Sequence, residues 1–365
     1  MILLIINPGS TSTKISIYED DTEIFTKSIF HDADIINKYD HVNDQIPFRK
    51  EVIISTLKDY GYSLEDIDIF VGRGGSAYSQ KEGVTIIDSK LYEDTKNAVG
   101  GSIHPAKLGV MIAYEFGNLY KKPMYTLNPT NTDELCDLAR FTGIKGVYRK
   151  ASLHALNQKA VAKEYAKRIN KKYEDLNLIV CHIDGGITIT AHKKGRMIDS
   201  NVGSGGDGPF SPTRIGSIPI DALLDYLKKH SYEETRDLTT RKGGFISFFN
   251  TSNAEIIRER IKDGDKSAKL VWDALIYNIA KEIGAMASVL KGKVDQIILT
   301  GGYIRFNDLV EDIKDYSNYI ADLTCIKDLE QETFAIEVNK VLKGETKPQK
   351  YSGKPIFNGF EGIDY

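Results

Sequence analysis

Alternating apolar and polar positions near the amino terminus predict a β-hairpin. An apolar run, Ile2 to Ile6, is followed by a polar Gly/Ser/Thr segment and then by the alternating run Lys14 to Tyr18. Strand, tight turn and strand in succession is the pattern of a hairpin. It returns in mid-chain, where Leu178 to His182 leads through Asp184-Gly185-Gly186 into Ile187 to Ala191. Two similar hairpins, one at the head of each half, suggest an internal duplication.

Apolar residues at helical spacing fill the segments that follow these hairpins. Ala106 to Leu119 has this spacing, and Ser152 to Ile169 is typical of an amphipathic helix with Ser152 as its N-cap. Ala268 to Leu290 predicts a long, mostly apolar packing helix. Val294 to Thr300 then predicts a strand that ends at Gly301-Gly302. This mixture of strands and helices indicates the α/β class.

The length of the chain predicts two domains. Its 365 residues exceed what a single ordinary core accommodates. We place the boundary near residue 150, which divides the chain into an amino-terminal domain (1–150) and a carboxyl-terminal domain (151–345). Pro, Gly, Lys and Tyr dominate the remainder, 346–365, without visible periodicity. We therefore expect an irregular surface tail there.

Composition narrows the classes of function. Hydrophobic residues make up 41% and charged residues 27%, as in globular proteins, and a net charge of −3 disfavours nucleic-acid binding. The apolar run at the amino terminus is too short for a signal sequence or a membrane span, and no later run is long enough. Three widely spaced cysteines, Cys136, Cys181 and Cys325, fit a reducing cytosol and show no metal-ligand spacing. We expect a cytoplasmic location.

The first candidate for chemistry is the turn of the first hairpin, Asn7-Pro8-Gly9-Ser10-Thr11-Ser12-Thr13-Lys14. Glycine lets backbone amides approach an anion closely, and the hydroxyl groups and Lys14 add donors. Taken alone, the segment is better explained as an ordinary hairpin turn. The chain contains no G-x-x-x-x-G-K-[ST] loop, so phosphate binding would use another architecture.

Four further segments combine glycine with a polar group. The bend Asp184-Gly185-Gly186 suits a phosphate with His182 beside it, although a lone histidine at a strand end is more often structural. The Gly/Pro-rich segment from Gly203 to Pro212, followed by Arg214, predicts a functional loop. Arg73 lies between glycines after an apolar strand, where its planar fork suits a carboxylate or phosphate. A base or ribose could lie against the bare backbone of Gly301-Gly302.

The order of these segments resembles that found in the acetate and butyrate kinase family of the sugar kinase/heat-shock 70/actin superfamily. The residues within the segments are most similar to those of the butyrate kinases. The resemblance runs from residue 1 to about 345 and is carried by Asn7–Lys14, His154–Ala162, Gly208–Pro212 and Ala280–Ala287.

The resemblance implies two related ribonuclease-H-like domains that close on a nucleotide cleft, as in actin-like ATPases, with the acid bound by the amino-terminal domain and the nucleotide mainly by the carboxyl-terminal domain. It implies reversible transfer of the γ-phosphoryl group of ATP to butyrate or another short-chain fatty acid, with Mg²⁺, in a homodimer. The implied reaction site comprises Arg73, Asn128, His182 and Arg214; the phosphate and nucleotide site comprises Asn7, Ser10, Ser12, Lys14, Asp184, Gly185, Gly186, Gly301 and Gly302; and the metal ligand is Glu330, preferred to Glu332.

Three positions depart from the family pattern. The family usually carries Asp-Pro where this chain has Asn128-Pro129, and Asp184 replaces the usual first glycine of the phosphate bend. Bulky residues, Tyr303-Ile304-Arg305, follow Gly302. Asp184 could supply the charge that is missing at position 128 by holding Mg²⁺.

These departures leave alternatives open: a kinase for acetate, propionate or branched acids, or a diverged, non-catalytic nucleotide-binding paralogue. A sugar or polyol kinase fits less well, because Asn128 stands where a catalytic Asp would be sought.

Overall fold

The computed structural model describes residues 1–10, 12–36, 38–101 and 104–364. By packing, the chain separates into two compact units, the first comprising Met1–Asp133 with Leu329–Tyr365 and the second Glu134–Asp328. These limits differ from the predicted boundary near residue 150. Residues 134–150 pack with the second unit because the Cys136 N–H donates to the Ile198 carbonyl and Arg149 pairs with Asp199. The division into an acid-binding and a nucleotide-binding domain stays a prediction.

The first unit is built on a six-stranded mixed sheet. Its strands are β1 (Ile2–Pro8), β2 (Ser12–Glu19), β3 (Thr22–Phe30), β4 (Ile69–Gly72), β5 (Val84–Ile86) and β6 (Met124–Leu127). Their order is β3-β2-β1-β4-β6-β5. β1, β2 and β3 form an antiparallel meander, whereas β4 and β6 run parallel to β1. The hairpin predicted at the amino terminus is therefore present.

Helices cover this sheet because their apolar residues recur at helical spacing. They are α1 (Ala33–Ile36), α2 (Ile46–Asp59), α3 (Ser89–Lys96) and α4 (Lys107–Tyr120). Leu108, Ile112 and Phe116 of α4 pack into one core with Ile53 of α2 and Ile6 of β1. α4 coincides closely with the helix predicted from Ala106.

The second unit repeats the strand arrangement of the first. A short hairpin, β7 (Phe141–Ile144) and β8 (Val147–Tyr148), precedes a sheet of β9 (Asn177–Ile183), β10 (Ile187–Lys193), β11 (Arg196–Ser200), β12 (Gln296–Thr300) and β13 (Leu323–Cys325). The order is β11-β10-β9-β12-β13, with an antiparallel meander followed by two parallel strands. The first five strands of the other sheet, read β3-β2-β1-β4-β6, have the same directions. The predicted duplication is thus visible in the topology.

The second unit contains one long helix, against which the helices that precede and follow it in the chain pack. The helices of this unit are α5 (Ala155–Arg168), α6 (Ile220–Leu227), α7 (Tyr232–Leu238), α8 (Phe245–Phe249), α9 (Ala254–Lys262), α10 (Lys266–Val289) and α11 (Asn307–Ser317). Trp272 and Ile283 of α10 lie in the core with Cys181 of β9. The side chain of Asp265 caps α10 by accepting from the amides of Ser267 and Ala268.

The last helix, α12 (Glu330–Leu342), returns to the first unit and lies against β1 and β6. The irregular segment after it also packs there, since the Gln349 N–H donates to the Val84 carbonyl and the Tyr351 hydroxyl donates to Asp94. None of the helices in the described ranges has the length and apolarity needed to cross a bilayer.

Candidate functional site

Three predicted site residues, Asn7, Arg73 and Glu330, meet in one cluster of the first unit. Arg73 Nη1 lies 2.7 Å from Glu330 Oε2 and 3.2 Å from Asn7 Oδ1. Asn7 Nδ2 donates to the same glutamate oxygen at 2.8 Å and to Gln331 Oε1 at 3.2 Å. The glutamate side chain is 4% exposed and the arginine side chain 18%. A short, charge-assisted bond in this partly buried place holds one edge of the guanidinium in a defined orientation.

The other edge of the Arg73 guanidinium is available to a ligand. Among the described residues, Nη1 is the only atom of this group with a bonded partner, which leaves Nε and Nη2. These two nitrogens form the side of the fork that binds a carboxylate in a bidentate manner. The arrangement therefore suits a small anion.

The cluster forms because its members follow the ends of neighbouring elements. Asn7 is near the end of β1, and Arg73 follows β4, whose Gly72 pairs with Ile6 in parallel register. α4 crosses β4 so closely that a Cβ on Gly72 would lie 2.2 Å from the Gly109 carbonyl oxygen. Glycine at position 72 is thus required by packing, and it brings Arg73 to the sheet edge.

The predicted phosphate-binding hairpin turn is closed by a bond from the Gly9 N–H to the Ser12 carbonyl at 2.8 Å. Ser10 is exposed at its tip, Ser12 is half-buried, and Lys14 lies on β2 opposite Asn7. Thr11, which belongs to the predicted hydroxyl cluster, lies outside the described residues. The turn keeps its polar groups together, and their role in phosphate binding stays a prediction.

Asn128 has a structural role that the sequence did not indicate. It follows β6 with a φ of +39° and is 4% exposed. Its Oδ1 accepts from the Gly83 N–H at 2.8 Å, which ties it to the turn before β5. Asn tolerates this left-handed backbone better than most residues. Its predicted part in the reaction stays a prediction.

In the second unit, His182 is held by a buried polar network. Asn157 Nδ2 lies 3.0 Å from His182 Nδ1 and 3.0 Å from Thr300 Oγ1. With Nδ1 accepting from the amide, the ring proton of neutral His182 is on Nε2. The ring of His154 stacks on that of His182 at 3.9 Å between centroids, and His154 Nδ1 bonds to Thr188 Oγ1 at 2.8 Å. The network fixes both the position and the tautomer of His182.

The structure brings the predicted phosphate bend and the predicted adenosine loop together. β9 and β12 are parallel neighbours with His182 opposite Thr300, so the bend after β9 lies beside Gly301-Gly302. Asp184 is exposed, and its carboxylate accepts from the Gly185 N–H at 2.9 Å and from the Gly302 N–H at 3.2 Å. Gly301 has a φ of +92°, and a Cβ there would lie 2.5 Å from the Ile183 carbonyl oxygen. Asp184 therefore links the two loops.

Arg214 packs on the backbone of the same bend. Its Nη1 donates to the Gly203 carbonyl, and a Cβ on Gly186 would lie 2.2 Å from that nitrogen. Ser211 Oγ and Thr213 Oγ1 both donate to the Gly185 carbonyl, at 2.8 and 3.1 Å, so the predicted functional loop is fastened to the bend.

Arg214 lacks a counter-charge. Within the described ranges it has no carboxylate partner, and its buried Nε has no hydrogen-bond partner. Burial lowers the pKa of Arg214, which as a guanidinium stays charged at neutral pH. An unbalanced positive charge here favours an anionic ligand.

The predicted metal ligands differ in their availability. The described residues contain no group of three or more His, Cys, Asp or Glu side chains that would cage a metal ion. Mg²⁺ commonly uses only one or two carboxylates together with substrate phosphates. Each oxygen of Asp184 accepts one backbone N–H, and Oε2 of Glu330 accepts from Arg73 and Asn7. The two differ in exposure, since Asp184 is exposed and Glu330 is buried, and exposure favours Asp184 as the carboxylate for a nucleotide-bound metal.

Sequence reasoning missed two residues that support these groups. Asn157, which orients His182, lay within the motif His154–Ala162 but showed no signal of its own. Arg49 lies on α2 behind the first hairpin turn, and its position in an amphipathic helix gave no indication of that contact.

Comparison with known proteins shows which family and which solved structures this chain is similar to. A family model described as the acetokinase family matches residues 138–312. Butyrate kinase 1 of Clostridium acetobutylicum is 42% identical over 353 residues, which cover 96% of this chain and 99% of the relative. The acetate kinase of Porphyromonas gingivalis superposes with a TM-score of 0.74 at 18% identity, covering 93% of this chain and 99% of that one. A propionate kinase from Francisella tularensis superposes with a TM-score of 0.74 at 16% sequence identity, covering 92% of this chain and 98% of that one.

The repeated sheet order and these structural neighbours define an α/β protein of the actin-like ATPase fold. The 42% identity to butyrate kinase 1 over nearly the full length of both chains shows the family. The chain belongs to the acetokinase family. The predicted fold class, family and kinase class are confirmed.

Proposed function

We propose that this protein transfers the γ-phosphoryl group of ATP reversibly to the carboxylate of a short-chain fatty acid, with butyrate as the first substrate to test. The observation that carries the proposal is the 42% identity over 96% of the chain to a protein named as a butyrate kinase. A carboxylate oxygen would form the new bond to the γ-phosphorus while the bond to the bridging oxygen of ADP breaks. The products are butyryl phosphate and ADP.

The charges of the site agree with an acid as the phosphoryl acceptor. The carboxyl group of a fatty acid has a pKa of about 4 to 5, as Asp and Glu do, so it is ionised at neutral pH and needs no general base. It does need cations, because an anion must approach a polyphosphate. We assign the Nε/Nη2 edge of Arg73 to the acid, since that edge has no partner among the described residues.

We assign the nucleotide phosphates mainly to the second unit, where Arg214 and His182 stand on either side of the Asp184–Gly186 bend in the chain. The Nε2–H of His182, oriented by Asn157, donates to a phosphoryl oxygen. The charge of Arg214 stabilises the negative charge that spreads over the transferring group. Mg²⁺ bound with the nucleotide would neutralise phosphate charge, and the exposed Asp184 carboxylate is the side chain that fits it best.

An acyl-hydroxamate assay tests the proposal directly. Purified protein is supplied with ATP, Mg²⁺ and hydroxylamine, which traps acyl phosphates, and each straight-chain acid from acetate to hexanoate and a branched short-chain acid are offered in turn. We expect the highest kcat/KM with butyrate. A maximum with acetate, propionate or a branched acid would revise the substrate, and no hydroxamate with any acid would refute the kinase.

The proposal also includes a homodimer and a cytoplasmic location. Monomeric mass in light scattering at working concentration would refute the dimer.

A further inference from the structure

Arg49 is a buried cation, and none of the described residues places an anion beside it. It lies on α2 with its side chain 0% exposed. Nε and Nη2 donate to Gln45 Oε1 at 3.1 and 2.9 Å, Nη2 donates to the Gly9 carbonyl at 2.9 Å, and Nη1 donates to the Ser12 carbonyl at 2.8 Å and to Thr13 Oγ1 at 2.9 Å. Every one of these acceptors is neutral.

The charge of Arg49 is retained in this environment. Burial lowers its pKa to about 10, so the guanidinium is still protonated at neutral pH. His31, whose Nε2 is 2.7 Å from Thr13 Oγ1, has its pKa lowered to about 4 by burial and by the Arg49 charge, and is therefore neutral. A buried charge is costly unless it is compensated, and no carboxylate pairs with Arg49 in the part of the chain that the structure describes.

The bonds of Arg49 also orient the backbone of the turn. In a trans peptide the carbonyl and the following N–H point in opposite directions. Because the Gly9 carbonyl points to Arg49, the N–H of Ser10 points away from it, towards the exposed tip of the turn. A backbone N–H that points outward, with a fixed positive charge behind it, favours an anion at the outer side of Ser10.

We propose that Arg49 is a positioning residue that holds the carbonyls of Gly9 and Ser12 and supplies the positive charge for a phosphoryl group bound at the outward-facing N–H of Ser10. This inference rests on the proposed function, which provides a phosphorylated ligand, and extends it to a residue that does not touch the ligand. The compensating anion of Arg49 is then the ligand itself. The five N–H donors of the guanidinium bond only to neutral acceptors, namely two backbone carbonyls, the amide oxygen of Gln45 and the hydroxyl of Thr13, so the ligand would supply the negative charge that these acceptors lack.

The test compares Arg49→Met and Arg49→Lys with Ile53→Ala. Ile53 is one turn further along α2, fully buried in the core, and outside the hairpin turn, so its truncation lowers Tm through a cavity alone. We measure the KM for ATP, the KM for butyrate, and the Tm increase caused by ATP and, separately, by inorganic phosphate.

For Arg49→Met we expect the KM for ATP to rise about tenfold or more and the Tm increase with both probes to be lost, because charge and turn geometry are both removed. For Arg49→Lys, which keeps the charge but cannot reach both carbonyls, we expect a smaller rise of about threefold. The KM for butyrate should change little in either variant. Ile53→Ala should lower Tm but leave the KM for ATP and the ligand-induced increase in Tm unaltered.

A variant that loses stability as Ile53→Ala does, with the KM for ATP and both Tm increases unchanged, would overturn the inference. If Arg49→Met does not fold, the same comparison of Tm, KM for ATP and ligand-induced increase in Tm is made between Arg49→Lys and Ile53→Ala. If the parent protein binds ATP but turns over no acid, the Tm measurements still test Arg49 and only the kinase proposal fails. If the parent protein responds to neither ATP nor phosphate, both proposals fall together.

Discussion

Arg73 and Arg214 are two arginines beside glycine-rich segments, one in each unit, and they differ in how their charge is balanced. Arg73 directly follows β4 and is bonded to a buried carboxylate, Glu330, at 2.7 Å. Arg214 lies in the loop after β11 and packs on Gly186 and the Gly203 carbonyl, and within the described ranges no carboxylate pairs with it. One unit therefore presents a balanced guanidinium and the other an unbalanced one.

The difference suggests different ligands. An unbalanced buried charge is stabilised most by a ligand with high negative charge, which suits a phosphate chain at Arg214. A balanced pair gains less from an anion and suits a ligand with a single charge, such as a fatty acid, at Arg73. Four predictions test this contrast, in order of decreasing effect.

The largest effect is expected at Arg214. Replacing it by alanine removes the positive charge at the phosphate bend, and we expect kcat to fall about 10²- to 10³-fold. Arg214→Lys, which keeps the charge without the planar group, should retain more activity. The measurement is hydroxamate formation with saturating ATP and butyrate, with Tm as a control for folding. A kcat within threefold of the parent value for the alanine variant would show that Arg214 only packs the loop.

Arg73→Ala should raise the KM for butyrate and also lower kcat, with a combined loss of about ten- to a hundredfold in kcat/KM. A bond to a charged group contributes about 1.5–3 kcal/mol, which corresponds to this range. The KM for ATP should change less. Arg73→Lys is the matched control for charge without the fork. Kinetics indistinguishable from those of the parent would mean that Arg73 is only a turn residue.

The third prediction concerns Asn128 and Asp184, the two departures from the family pattern. If Asp184 supplies the charge absent at position 128, Asp184→Gly alone should reduce Mg²⁺ dependence or activity, and Asn128→Asp alone should help little. The double variant should perform better than the two single effects predict, by about 0.5–3 kcal/mol in activation free energy. Additive effects in a double-mutant cycle on kcat/KM would contradict compensation between the two positions.

Glu330→Gln makes Arg73 resemble Arg214 by removing its counter-charge while keeping a hydrogen-bond acceptor. If Glu330 mainly balances Arg73, the KM for butyrate should fall about threefold, because the acid no longer competes with an internal carboxylate. If Glu330 is instead a metal ligand, the Mg²⁺ concentration for half-maximal activity should rise while the KM for butyrate stays constant. A magnesium titration at several butyrate concentrations separates these results.

Local sequence patterns were sufficient for much of the fold. The two hairpins, α4, α10 and the strand before Gly301 lie close to where apolar periodicity and glycine punctuation placed them. Such patterns depend on residues that are near one another in the chain, so they can be recognised without knowledge of the tertiary structure. One local signal failed. Ser152 was predicted as an N-cap, but α5 begins at Ala155, and the Ser152 carbonyl instead accepts from Gly203.

By itself, the sequence determined the α/β class, the duplication, the family and the order of the glycine-bearing segments. Only the tertiary structure decided which charges meet. Glu330 reaches Arg73 across 257 positions, Arg49 reaches the first turn from α2, and Asn157 reaches His182 from α5. The physical reason is that parallel strands joined through helices bring segments that are distant in the chain to the same end of a sheet. The periodicity within one segment carries no information about which other segment will lie next to it there.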